Sequence, residues 1–174
     1  ESKLLTFGTD KIEPVNTSET PNPVYGLHDY TLGGGKGSSA QAASSFNDMI
    51  EKAFGRPRDA KQFAEWAQWI NYDGYRAIFE GRSEHRRGML LWMSHSAWPS
   101  MVWQTYDYYF DPNAAYFGCK KASEPLHIQW NPLRDDIEVV NYHAFDRTGL
   151  TATASLFNQD GTLQWTREDR KSVV

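Results

Sequence analysis

Trp92 and Trp98 stand six residues apart with His95 between them, and Pro99 follows at once. Indole rings are costly to leave exposed unless they pack or stack on something, and a flat apolar face beside polar groups suits a sugar ring. Trp98 could stack on such a ring, or it could pack as a core indole beneath the turn. His95 brings hydrogen-bonding nitrogens to the same segment, and it could equally serve as ordinary hydrogen-bonded structure. Trp92, Trp98, Trp103 and Trp130, four of the seven tryptophans, fall within residues 90–130, so this segment is the richest in stacking surface.

Other chemistry is thinner. His28 lies beside Asp29; a histidine next to an acid can act as a base, but adjacency in sequence is not geometry. His95 has no second ligand at metal-binding spacing, and we expect neither a metal nor a cofactor. Cys119 is the single cysteine. It allows no internal disulfide and reads as a small buried hydrophobe. The stretch Gly33 to Ser38 lacks the spacing of a phosphate loop, with no strand directly before it. Glu65, Glu80 and Glu84 read as solvated or paired helix charges, and Tyr106, Asp107, Tyr108 and Tyr109 as a structural run.

Bulk properties exclude several partners. The chain has 174 residues, 18 basic and 22 acidic side chains, and a net charge of -4. That is not the basic footprint of a nucleic-acid or anionic-membrane binder. No apolar run approaches the roughly 20 residues needed to cross a bilayer, so membrane insertion is not expected either.

The elements that must carry these residues change character along the chain. Residues 1–36, with Pro14, Pro21, Pro23 and Gly33 to Gly35, read as an irregular loop. From about Ser38 to Phe54, Ala42, Ala43, Phe46, Met49, Ile50, Ala53 and Phe54 recur at helical spacing, with Gly55 as the stop. Asp59 and Gln62 have capping-box spacing, and Phe63, Trp66, Ala67, Ile70 and Ala77 form the stripe of a second helix from about Ala60 to Phe79. Met89 to Met93 is a short continuous apolar run of the kind shown by a strand buried on both faces. Asp111 ahead of Pro112 places a cap before a helix over 113–122.

After Pro125 the pattern becomes strand-like over Leu126 to Trp130, Ile137 to Tyr142, Leu150 to Phe157 and Thr162 to Trp165, with Asp160-Gly161 as a hairpin signal. Regular short strands argue for an antiparallel sheet belonging to a β-sandwich. The fold class is therefore α/β plus all-β, divided near Glu124. One buried strand cannot form a sheet alone, and four strands make only about one layer of a sandwich, so both halves are expected to continue outside this sequence.

Several linked segments resemble family-2 glycoside hydrolases of the exo-β-glucosaminidase and mannosidase-like branch. They are FAEWAQWINYDGYRAIFEG, LLWMSHSAWPSMVWQTYDYY, NAAYFGCKKASEPLHIQW, VVNYHA and LTATASLFNQDGT, in that order, within roughly residues 25–165. The resemblance implies the terminal part of a (β/α)8 TIM barrel over 1–124, and the start of an immunoglobulin-like β-sandwich over 125–174. Residues 88–94 would be the eighth barrel strand, placing the residues after Trp92 at the carboxyl end where such barrels build their pockets.

The activity implied is retaining hydrolysis of terminal β-glycosides, glucosaminides or mannosides, by two carboxyl groups about 5 to 5.5 Å apart. In the relatives both are glutamates on earlier strands. They are expected upstream of Glu1, leaving the isolated chain inactive. The partners implied are a carbohydrate substrate and the remainder of the same polypeptide. Trp92, His95, Trp98 and His28 would line the sugar pocket; His95 stands where relatives carry an asparagine. An extracellular or periplasmic location follows family habit. The rival expectation is a non-catalytic carbohydrate-binding or structural module, which would fold as a self-contained unit.

Overall fold

The computed structural model describes residues 49–81, 88–99 and 104–173. The chain divides into two compact units, Glu1–Lys121 and Ala122–Val174. In the first, residues 49–54 are helical and bury Ile50. Gly55 ends this turn at φ +88, a left-handed conformation that suits glycine, and its N–H donates to the Glu51 carbonyl at 2.8 Å. The part of the expected first helix before residue 49 lies outside the described residues, as does the loop over 1–36.

Helix α1 runs Ala60–Glu80. Asp59 caps it, accepting from the Gln62 N–H at 2.8 Å, and the Gln62 side chain reaches back to accept from the Arg58 N–H at 2.8 Å. The return bond of the capping box thus lands one residue before the cap. Ala60, Phe63, Ala64 and Ala67 are buried, the i, i+3, i+4, i+7 face of an amphipathic helix. Trp66 stacks on Phe54 at 5.4 Å, while Ala77, expected on the stripe, is exposed.

Helix α2 spans Ala114–Ala122. Its capping oxygen comes from Asn113, whose Oδ1 accepts from the Ala115 N–H at 3.0 Å, and not from Asp111 as the Asp-Pro pair suggests. Pro112 is occupied in an isolated bridge with Tyr106, so the chain enters the helix one residue later than expected. Gln68 of α1 satisfies another first-turn donor, the Ala114 N–H, at 2.7 Å. The two helices touch at Gly118, where a Cβ would collide with the Tyr72 carbonyl and crowd the Arg76 N–H. Glycine here permits backbone contact between the helices.

The apolar run over 89–93 forms no strand. Leu90 is 95% exposed and Trp92 88%. The expected buried strand is corrected on this point: an apolar run becomes a strand only when neighbouring backbone completes its ladder, and the described residues supply none beside it.

In the second unit, β1 (Leu126–Asn131) pairs antiparallel with β2 (Asp136–Asn141), and β3 (Arg147–Phe157) with β4 (Leu163–Val173), giving two two-stranded sheets. The β3–β4 hairpin turns through Asn158 to Thr162, with Gly161 at φ +83 and Asp160 accepting from the Thr162 N–H at 2.9 Å. The sequence signal for β4 fades after Trp165 because Arg167, Glu168, Asp169 and Arg170 follow. Backbone pairing with Thr151 to Ala154 nevertheless carries the strand on.

β1 reverses the usual alternation. His127, Gln129 and Asn131 are buried, whereas Ile128 and Trp130 are exposed, with Ile137 exposed opposite Trp130. The buried polar face is bonded: Gln129 donates to Glu138 at 2.5 Å, and His127 Nδ1 lies 3.3 Å from Glu124 Oε2.

Candidate functional site

The best-defined polar and aromatic constellation in the first unit joins residues 94–96 to the turn 104–113. Ser94 lends its carbonyl to three donors: the Thr105 N–H at 3.2 Å, the Tyr106 N–H at 2.9 Å and the Thr105 hydroxyl at 3.2 Å. His95 forms a parallel bridge with Tyr106. Ser96 and Thr105 are buried, and Ser96 Oγ has no hydrogen-bond partner among the described residues. Asn113 Nδ2 donates to the Gln104 carbonyl at 2.6 Å, tying the far end of the turn to α2.

Asp107 builds the tip. Its Oδ1 accepts from the Tyr109 N–H at 2.8 Å and the Asp111 N–H at 3.0 Å. Its own N–H donates to the Asp111 carbonyl at 2.9 Å, and its carbonyl accepts from the Phe110 N–H at 3.1 Å. These four bonds hold Phe110 at φ +64, a left-handed conformation unfavourable for a phenylalanine. The bent backbone lays the Phe110 ring on the His95 imidazole, with centroids 4.3 Å apart and planes 16° from parallel. Tyr108 adds a looser stack at 6.4 Å and Tyr109 an edge contact to Tyr108 at 5.3 Å. The Tyr108 carbonyl lies 3.2 Å from His95 Nε2. Phe110 remains 73% exposed, so the stack presents an open aromatic face.

Of the residues singled out in the sequence, His95 sits at the centre of this stack. Trp98 is 38% exposed, and neither it nor Trp92 makes a ring contact with His95 among the described residues. The three are near in sequence, but no ring stack unites them. His28 and Trp103 lie outside the described residues, as do Glu84 and the glycine-rich stretch. Nothing in the sequence singles out Phe110, while Asp107 and Tyr108 read there as able to face a pocket but more in keeping with a structural role. Asp followed by aromatics at a chain reversal hints at an Asx-type turn, but nothing in sequence marks a phenylalanine for positive φ.

Elsewhere among the described residues, burial and pairing act on several ionisable groups. Burial pushes the Tyr75 hydroxyl up to about 12, with the nearby Cys119 thiol adding to it. Burial also raises the Cys119 thiol, which disfavours the reactive thiolate. Glu80 is paired to Arg76 at 2.6 Å, and Glu65 is exposed. Among the described residues no group of three metal-ligating side chains gathers, and no helix is long and apolar enough to cross a membrane.

Comparison with known proteins relates the chain to segments of named glycosidases. No family model matches it. An exo-β-D-glucosaminidase of Amycolatopsis orientalis is 40% identical over 124 residues, covering 67% of this chain and 12% of the enzyme. A mannosylglycoprotein endo-β-mannosidase of Lilium longiflorum is 32% identical over 148 residues, covering 83% and 15%. The solved structure of the Amycolatopsis orientalis exo-chitosanase CsxA superposes with a TM-score of 0.67 at 37% identity, over 73% of this chain and 16% of that one. The chain belongs to the exo-β-glucosaminidase and mannosidase-like branch of the family-2 glycoside hydrolases. It spans roughly an eighth of the length of the curated relatives it matches.

Proposed function

We propose that this chain is the pocket-wall segment of a retaining β-glycoside hydrolase that removes terminal β-linked glucosamine or mannose residues. In this reading residues 1–124 form the terminal part of a (β/α)8 barrel and residues 125–174 begin an immunoglobulin-like β-sandwich. The observation that carries it is the 40% identity to an exo-β-D-glucosaminidase over 124 residues. The exposed apolar side chains over 89–93 support it, since a surface of that kind is expected to be covered by further polypeptide.

The chemistry requires a carboxylate nucleophile and a carboxylic acid about 5 to 5.5 Å apart, with the nucleophile forming a glycosyl-enzyme intermediate that water then hydrolyses. These glutamates precede Glu1 in the longer polypeptide. Trp92, His95, Trp98 and His28 contribute binding surface, and the chain by itself is inactive. Full-length protein assayed on a panel of aryl β-glycosides, with the anomer of the first-formed sugar read by NMR, tests the proposal. Turnover with retention is expected; release of the inverted anomer, or no turnover of any β-glycoside, overturns it. The 174-residue chain should cleave none of them.

A further inference from the structure

We propose that Asp160-Gly161 is a site of spontaneous backbone isomerisation that the folded hairpin turn holds latent, with Thr162 as its clasp. The proposal stands apart from the glycosidase reading. Isomerisation of this kind begins when the amide nitrogen of the following residue closes on an aspartic side chain, and glycine, with no side chain to obstruct the approach, permits it most readily. The chain has two such pairs, Asp73-Gly74 and Asp160-Gly161. Their backbones differ. Asp73-Gly74 lies inside α1, where the helical ladder fixes the chain on both sides, whereas Asp160-Gly161 lies exposed in the β3–β4 turn with Gly161 at φ +83.

The reaction is a dehydration followed by a hydrolysis. The Gly161 nitrogen attacks Cγ of the protonated Asp160 side chain and forms a C–N bond. The carboxyl hydroxyl and the amide proton leave together as water, and a cyclic succinimide remains. Water then opens the ring. Addition at the Cγ carbonyl regenerates aspartate, while addition at the main-chain carbonyl leaves a backbone that runs through Cβ and Cγ and is one atom longer. Nothing is oxidised or reduced. The extra atom falls in a turn that closes the pairs Leu156 with Trp165 and Phe157 with Leu163, so the product disturbs the register of the hairpin.

Hydrogen bonds within the turn oppose ring closure. The Gly161 N–H donates to the Asn158 carbonyl at 2.9 Å, which occupies the proton that must leave. Asp160 Oδ1 accepts from the Thr162 hydroxyl at 2.7 Å and from the Thr162 N–H at 2.9 Å. Asn158 Nδ2 donates to the same hydroxyl oxygen at 2.9 Å, so the Thr162 side chain is held from both sides. Bonds donated to a carboxylate favour it over the neutral acid, and only the neutral acid has a hydroxyl able to leave as water. The Thr162 hydroxyl, followed by the Thr162 N–H, accordingly holds the Asp160 carboxyl below its ordinary range.

The test follows isoaspartate at both pairs by peptide mapping with electron-transfer fragmentation, in full-length protein stored at neutral pH and in the same protein held in denaturant. Conversion at Asp160 should be slower by about 10-fold or more in the folded protein, since several bonds must open first. Less retardation than that overturns the proposal without recourse to any variant. Thr162→Val removes the hydroxyl but keeps the branched shape, and should speed conversion at Asp160 by about threefold or more, the worth of one hydrogen bond. Thr162→Ser, which keeps the hydroxyl, should stay below that mark. A smaller rise in the Val variant, or an equal rise in both variants, removes the clasp. Acceleration of Asp73 by the same factor as Asp160 in the Val variant also overturns it, because that pattern reports general unfolding.

Discussion

The α1–α2 pair and the apolar run over 89–93 belong to the same compact unit and carry similar side chains, but they end in opposite environments. Phe63, Ala64, Ala67 and Ala115 are buried and the helices meet closely enough to require Gly118, whereas Leu90 and Trp92 are open to solvent. A helix completes its backbone bonds within itself and needs only one packed stripe, which a second helix nearby can cover. An extended run needs neighbours for its backbone as well as its side chains. Apolar patterning thus declares that a surface is to be covered. It does not say whether the covering lies within reach.

The contrast can be broken or sharpened by substitution. Phe63→Ala should cost about 3–5 kcal/mol, because it empties a buried site; denaturant unfolding of the chain measures it, and a loss below about 1 kcal/mol would mean that the α1 face is not a core. Gly118→Ala drives a methyl group into the Tyr72 carbonyl and should cost about 1–3 kcal/mol through separation of the helices. Unchanged stability there would contradict the close approach.

Asn113→Ala removes the α2 cap and the bond to the Gln104 carbonyl, for about 1–2 kcal/mol read as a drop in unfolding temperature. By contrast, Leu90→Ala should change the 174-residue chain by less than about 0.5 kcal/mol. The same substitution in the full-length protein should cost about 2–4 kcal/mol if the run is a covered barrel strand. Equal, negligible effects in both would remove the barrel assignment.

The smallest expected effect is a pH dependence of the β1–β2 hairpin. Desolvation raises the Glu138 carboxyl, but bonds from Arg134, Gln129 and Asn131 outweigh it and hold the group below its ordinary 4.5. A depressed carboxylate contributes stability above the unfolded value, and that contribution is lost as pH falls through the lower folded value. A Glu138→Gln variant should therefore show a shallower fall in stability below pH 4.5 than wild type. Parallel acid limbs would remove Glu138 from the account.

The two hairpins repeat the lesson in another form. β1 alternates apolar and polar residues as a half-buried strand should, yet the buried set is His127, Gln129 and Asn131 and the apolar set is exposed. Period-two alternation separates the two faces of a strand without saying which one packs inward. The choice depends on what lies against each face.

What the residues alone determined is local: the α1 stripe through Phe63 and Ala67, the Asp59 cap, the turn at Asp160-Gly161, the onset of the strands after Pro125, and linked motifs that carry kinship to glycoside hydrolases. These depend on intervals of a few residues, where backbone geometry leaves few alternatives. Tertiary structure decided the rest: that Asn113 and not Asp111 caps α2, that 89–93 stays bare, and that β1 buries its polar face. It also decided that Phe110 adopts a left-handed backbone to lie on His95. Each of these depends on groups distant in sequence competing for the same donors or the same face, and a linear pattern has no means of ranking them.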